Sequence, residues 1–172
     1  MIDCFAYSRI VIGLIIPMLA YLEVNSVSIM IIILMTLGLL TDVFDGIIAR
    51  NLGVVTEKLR IWDSSVDQFF WLSIIITTFY LRWDVIPTLF LPIGILIILE
   101  GFAYLISFIK FSNPIATHSI LAKLWTLSLL TFLIELLIYN SHKSFWFCFV
   151  LGAISRVEII LIIIKLKEWV TD

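Results

Sequence analysis

Six apolar stretches, at roughly 5–22, 27–50, 58–82, 85–109, 118–139 and 144–166, follow one another along the chain. Each is close to the roughly 20 residues an α-helix needs to cross a bilayer. The breaks between them (Glu23-Val24-Asn25, Asn51 to Glu57, Arg82-Trp83-Asp84, Lys110 to His118, Asn140 to Lys143) carry charged and turn-forming residues and read as loops. The pattern predicts an all-α membrane protein with six transmembrane helices. Composition agrees, since 62% of the 172 residues are hydrophobic, against roughly 45–50% in a soluble domain. The mean hydropathy of +1.17 points the same way.

An even number of spans puts both termini on one face. With the N-terminus inside, Arg9, Arg50, Lys58, Arg60, Lys110, Lys123, Lys165 and Lys167 lie toward the cytoplasm, and Arg82 and Lys143 lie outside. Basic residues favour the cytoplasmic side of membrane proteins, so both termini are expected there. The first apolar segment lacks a basic leader region and a small-residue cleavage site, and is expected to be a retained helix. Residues 1–172 show no repeat, low-complexity run or linker and read as one domain. Trp83, Tyr139 and Trp146 fall near span ends, where an aromatic belt would place them. Lys and Arg total 11 and form no patch, which excludes a nucleic-acid partner. Cys4 and Cys148 have no metal-ligand spacing and read as small apolar residues.

Charge inside the apolar segments changes the picture. Asp42, Asp45, Asp63 and Asp67 lie in or beside spans, where an ionised carboxylate costs several kcal/mol unless something compensates it. Asp42 and Asp45 are three apart and Asp63 and Asp67 four apart, so each pair shares a helix face. A helix ending near Leu52 and another starting near Thr56, joined through Gly53-Val54-Val55, would form an antiparallel hairpin. At about 1.5 Å per residue, the two pairs then meet at matching depths. Four carboxylates so placed repel one another unless divalent cations lie between them. All-oxygen ligands suit Mg²⁺ or Mn²⁺, four carboxylates can hold two such ions, and two metals suggest phosphate chemistry.

The run Asp42-x-x-Asp45-Gly46-x-x-Ala49-Arg50, followed at the family's spacing by Asp63-x-x-x-Asp67, resembles the signature of the class I CDP-alcohol phosphatidyltransferases. Leu59 stands where that signature has its second glycine. The close match covers residues 42–67. The resemblance implies transfer of a phosphatidyl or other substituted phosphoryl group from a CDP-linked lipid donor, such as CDP-diacylglycerol, to an alcohol, with release of CMP. It implies metal ligation by Asp42, Asp45, Asp63 and Asp67, with two Mg²⁺ or Mn²⁺ ions as cofactors. It further implies base catalysis by Asp67 and cytidine lying against Gly46 and Ala49. A homodimer also follows from it, and the bias of basic residues turns the aspartate site of this cell-membrane protein toward the cytoplasm.

Other residues keep two readings. Arg50 pairs with the donor's pyrophosphate or anchors a helix end. Arg9 is the one residue in register with an Asn-x-x-Thr-x-x-Arg run common in the family, Asp3 and Ala6 standing at the other two positions. It is a phosphate ligand or a snorkelling residue. Lys123, about one turn into the fifth span, is in the region where related synthases meet the acceptor's phosphate, whereas His118 reads as interfacial. Glu100, Glu135, Arg156 and Glu158 read first as structural, with Arg156 neutralising Glu158 or Glu100. Two rival functions remain: a catalytically silent, lipid-binding or structural member, suggested by Leu59, and a cation channel or transporter. The acceptor is not readable from the sequence.

Overall fold

The computed structural model describes residues 2–52, 56–112 and 119–166, and the side chains within these other than those of 2–5, 49–52 and 57–59. The described residues are helical with no strand: α1 (Ile2–Tyr21), α2 (Val27–Leu52), α3 (Glu57–Leu81), a 3₁₀ turn (Trp83–Val85), α4 (Ile86–Phe111), α5 (Ile120–Tyr139) and α6 (Phe145–Lys165). The expected turn at Gly53-Val54-Val55 lies outside the described residues, as does His118.

Helix ends fall where local chemistry puts them. α5 starts after Ser119, whose hydroxyl accepts the Ala122 N–H at 3.0 Å and so satisfies a donor that the first helical turn would leave free. It stops at Tyr139 because Asn140 adopts φ 49°, ψ 36°, a left-handed conformation that asparagine tolerates better than most residues. α3 starts after Thr56, whose carbonyl accepts from the Arg60 N–H at 3.1 Å.

Among the described residues, four helical stretches are long and apolar enough to cross a membrane: Val27–Ile48, Trp83–Phe111, Ile120–Tyr139 and Phe145–Lys165. The apolar part of α1 is shorter, Ala6–Tyr21. α3 carries Glu57, Lys58, Arg60, Asp63 and Asp67 in its first half, which lowers its hydropathy. Large apolar side chains stand exposed along α4, among them Phe90, Leu91, Ile98 and Ile109. A protein in water would lose much free energy by presenting so large an apolar surface, so these faces suit a lipid environment and a multi-pass membrane protein.

The chain divides into two compact units, Met1–Trp83 with Leu137–Tyr139, and Asp84–Leu136 with Asn140–Asp172. In the first, α2 and α3 both pack on α1, around Ile16, Ile31, Met35, Phe70 and Ile74. Apolar surface gives helices in lipid little drive to associate, so close packing must supply it, and small residues permit that packing. Gly13 of α1 meets Phe69, where an added Cβ would lie 2.9 Å from Cε1. Gly38 of α2 faces the ring of Phe70, and a Cβ there would run into that ring. Arg82 donates to the Leu137 carbonyl at 2.7 Å.

The second unit packs α4 on α6 through Ala103, Ile159 and Ile163. Lys110, Glu135, Glu100 and Arg156 make contacts within the unit. Lys110 Nζ donates to the carbonyls of Ile163, Ile164 and Leu166 at 2.9, 2.7 and 2.6 Å, closing the C-terminal end of α6, where unpaired carbonyls favour a cation. Glu135 accepts from Ser141 Oγ at 2.5 Å, from the backbone N–H groups of Lys143 and Ser144 at 3.1 and 2.9 Å, and from Ser144 Oγ. That carboxylate fixes the start of α6. Arg156 pairs with Glu100 and lies 4.3 Å from the centre of the Trp125 ring. Of the two partners expected for Arg156 it takes Glu100, and Glu158 Oε2 is buried without a hydrogen bond among the described residues.

Candidate functional site

The site is built in the first unit, on the layer next to Phe69 and Phe70. Gly13 is one turn after Arg9, Gly38 one turn before Asp42, and Phe70 about one turn after Asp67. Gly13 lets α1 approach α3, and Gly38 leaves room on α2 for the Phe70 ring; with α2 and α3 both packed on α1, the next layer of side chains meets around α1. That layer is Arg9, Asp42 and Asp67, with Asp45 and Asp63 one turn further along their helices, as residues three or four apart share a face.

All four aspartates converge on the Arg9 guanidinium. Nη1 donates to Asp42 Oδ1 at 2.8 Å and to Asp67 Oδ1, and Nη2 donates to Asp45 Oδ2 at 2.6 Å and to Asp63 Oδ1. Each terminal nitrogen thus bridges one carboxylate of α2 and one of α3. The planar fork of arginine is suited to that task, which the point charge of a lysine could not perform in the same geometry. Arg9 is fully buried, whereas Asp42 and Asp63 keep about a third of their side-chain surface exposed, at 37% and 34%. The cluster therefore has a closed side at α1 and Asp45 and an open side at Asp42 and Asp63. The snorkelling reading of Arg9 fails, because its head is the most enclosed part of the site.

Charge balance shows what the arginine leaves undone. One guanidinium faces four carboxylates, and three negative charges remain for other cations or protons to offset. Oxygen atoms from Asp42, Asp63 and Asp67 lie within 4.8 Å of one another, an all-oxygen donor set of the kind that hard divalent ions take. Asp45 stands outside that trio, 3% exposed and held by Arg9.

The remaining candidates are placed unequally. Gly46 is partly buried on α2, directly after Asp45. Ala49 and Arg50 lie one turn on in the same helix, with their side chains outside the described residues, as is that of Leu59 in the first turn of α3. Lys123 is exposed on α5, in the second unit. Arg60 was read from sequence only as a cytoplasmic charge. It shares a face with Asp63 and Asp67 at spacings of three and seven, a signal that was available, and its Nη1 is buried without a hydrogen bond among the described residues.

Two helices presenting four aspartates to an arginine of a third define a polar, cation-hungry site in an apolar protein. The chain matches the CDP-alcohol phosphatidyltransferase family over residues 3–166 and belongs to that family. No match emerges among curated proteins or among solved structures. Membership makes the chain one of a family of transferases of phospholipid biosynthesis, which move a phosphatidyl group from a CDP-alcohol to an alcohol acceptor and are generally dependent on divalent metal.

Proposed function

We propose that this protein is an active, metal-dependent phosphatidyltransferase that takes CDP-diacylglycerol as donor and releases CMP. The observation that carries the reading is the convergence of Asp42, Asp45, Asp63 and Asp67 from two helices onto one point. In this reading the four aspartates hold two Mg²⁺ or Mn²⁺ ions. The trio of close oxygens and the uncompensated negative charge support that assignment. When bound, the ions would neutralise the donor's pyrophosphate and stabilise the departing phosphate.

The chain's own residues do the rest. Asp67 lies deeper than Asp42 and Asp63, at 25% exposure. There it accepts the proton of the attacking hydroxyl while keeping an oxygen for metal contact. Gly46 and Ala49 leave α2 bare beyond Asp45, and the cytidine lies along that strip. Arg50 meets the pyrophosphate at the helix end, and Lys123 meets an acidic group on the acceptor.

The same reading sets all six helices across the cell membrane, with both termini and the aspartate site toward the cytoplasm, and treats residues 1–172 as one domain acting as a homodimer. Support comes from the excess of basic residues on one side, from the helix lengths, and from a family match that runs through both compact units. A site at the membrane border suits a donor with lipid tails and a polar head. A catalytically silent, lipid-binding member is the second reading, favoured by Leu59 in place of the signature glycine. Purified protein is incubated with CDP-diacylglycerol, Mg²⁺ or Mn²⁺ and a panel of alcohols, with CMP as readout. CMP that appears with one alcohol and stops in excess chelator supports the transferase, and its absence with every alcohol supports the silent member.

A further inference from the structure

We infer that Arg9 is a built-in counter-ion of the carboxylate ring, competing with divalent cations for the same oxygens, so that metal loading requires the guanidinium to withdraw. The inference rests on the reading of the ring as a metal centre and adds a residue of α1 to it.

Three observations carry it. First, the contacts are complete: both terminal nitrogens of Arg9 are used, and together they reach an oxygen of every aspartate in the ring. A divalent ion bound by Asp42, Asp63 and Asp67 would draw on the same three carboxylates that now accept from Arg9, at contacts of about 2.0–2.1 Å for Mg²⁺ that leave no room for an intervening N–H. Second, the charges repel: a doubly charged ion placed among those oxygens would sit beside a buried guanidinium in a medium that screens little. Third, the arginine is not fully satisfied. Its Nε is buried and makes no hydrogen bond among the described residues, and a buried unpaired donor costs free energy. The head of Arg9 is thus held only through its two terminal nitrogens, by the same carboxylates that a divalent cation would take.

This arrangement gives α1 a role that neither a lipid-facing anchor nor a phosphate ligand would have. Without metal, the guanidinium keeps four carboxylates from forcing α2 and α3 apart. With metal, the same residue sets the concentration of cation at which the site loads. The affinity of the site is therefore lower than the aspartates alone would give, and the fold does not depend on metal.

The test compares Mn²⁺ binding by wild type and Arg9→Gln in detergent micelles, following the free-ion paramagnetic resonance signal, with melting curves recorded with and without Mn²⁺. Arg9→Gln should bind Mn²⁺ at least tenfold more tightly, melt at a lower temperature than wild type without metal, and gain more from metal addition. As a second measurement on the unmodified chain, phenylglyoxal labelling of Arg9 is followed by mass spectrometry. Labelling should be slow in chelator and faster in saturating Mn²⁺. If Mn²⁺ binds to wild type but no more tightly to Arg9→Gln, the competition is wrong and the metal centre stands. Failure of both proteins to bind Mn²⁺ overturns the metal centre and the inference together. Should Arg9→Gln not fold, labelling decides, and a rate that Mn²⁺ leaves unchanged or slows overturns the inference.

Discussion

Gly38 of α2 lies against the ring of Phe70 in α3, so close that a Cβ on the glycine would enter the ring. The contact sits one turn from Asp42 on one helix and about one turn from Asp67 on the other. The absence of a side chain at Gly38 therefore makes room for the Phe70 ring one turn from the aspartate layer. Phe70 is 1% exposed, so its ring can yield only within the interior of the unit.

Gly38→Ala should destabilise the first unit by about 1–3 kcal/mol, the usual cost of overpacking a filled core. It should also depress CMP release by spreading the aspartates. Phe70→Leu in the same chain should recover part of both losses, because the shorter side chain vacates the contested space. A double-mutant cycle on melting temperature and on rate measures the coupling. Additive effects of the two substitutions would show that the contact does not set the helix spacing.

Asp67→Asn separates catalysis from folding. Removing one of four carboxylates leaves Arg9 with three partners and relieves like-charge repulsion in the metal-free protein, so melting without metal should stay unchanged or rise. Activity should fall by roughly 10²–10⁴-fold, the range expected for losing a positioned general base. A variant that keeps more than a tenth of the wild-type rate would remove Asp67 from the base role.

How much of this arrangement could be read from the chain differs from element to element. The apolar runs locate the six α-helices of the described residues to within a few residues, because bilayer-length segments broken by charge leave little choice of boundary. The spacings 42/45 and 63/67 announced a shared face on each helix, and that face exists. The partner of Arg9 was not legible. A single arginine in an apolar helix carries no mark of what it meets, and its place in the ring depends on how closely Gly13 and Gly38 let three helices approach. The jobs of Lys110 and Glu135 were hidden for the same reason. Each satisfies backbone groups of another helix, and backbone groups leave no trace in a sequence.

Lys110→Met keeps the side-chain stem and removes the cation that closes the end of α6. The loss should cost about 1–2 kcal/mol, as for a favourably placed charge at a helix C-terminus. It should leave the donor KM unaltered. Melting curves and donor titrations on the same preparation check both halves, and a large rise in donor KM would move Lys110 from a structural role to a binding one.

Lys123 is exposed one turn into α5. Lys123→Ala should raise the acceptor KM and spare the donor KM if the acceptor carries an acidic group. An uncharged alcohol as the true acceptor, or an unchanged acceptor KM, would leave Lys123 as a surface charge.

Leu59 marks the departure of this chain from its family's signature, and its position in α3 makes the consequence measurable. The helix is continuous from Glu57, so Leu59 lies one turn before Asp63 and two before Asp67, on the face that carries the aspartates. In the proposed function, a glycine at that position would leave backbone open to the donor, and a leucine would cover it. Leu59→Gly should cost about 1 kcal/mol in helix propensity, plus about 1–3 kcal/mol of lost packing if the side chain is buried. The same change should tighten binding of CDP-diacylglycerol, because the nucleotide gains the volume of the side chain. Stability and donor affinity thus move in opposite directions, which separates this outcome from a general loosening of the fold, where both would fall. Donor affinity that stays level in a variant that has lost stability would mean that Leu59 packs against another helix, and that the nucleotide lies along Gly46 and Ala49 without approaching α3 at this turn.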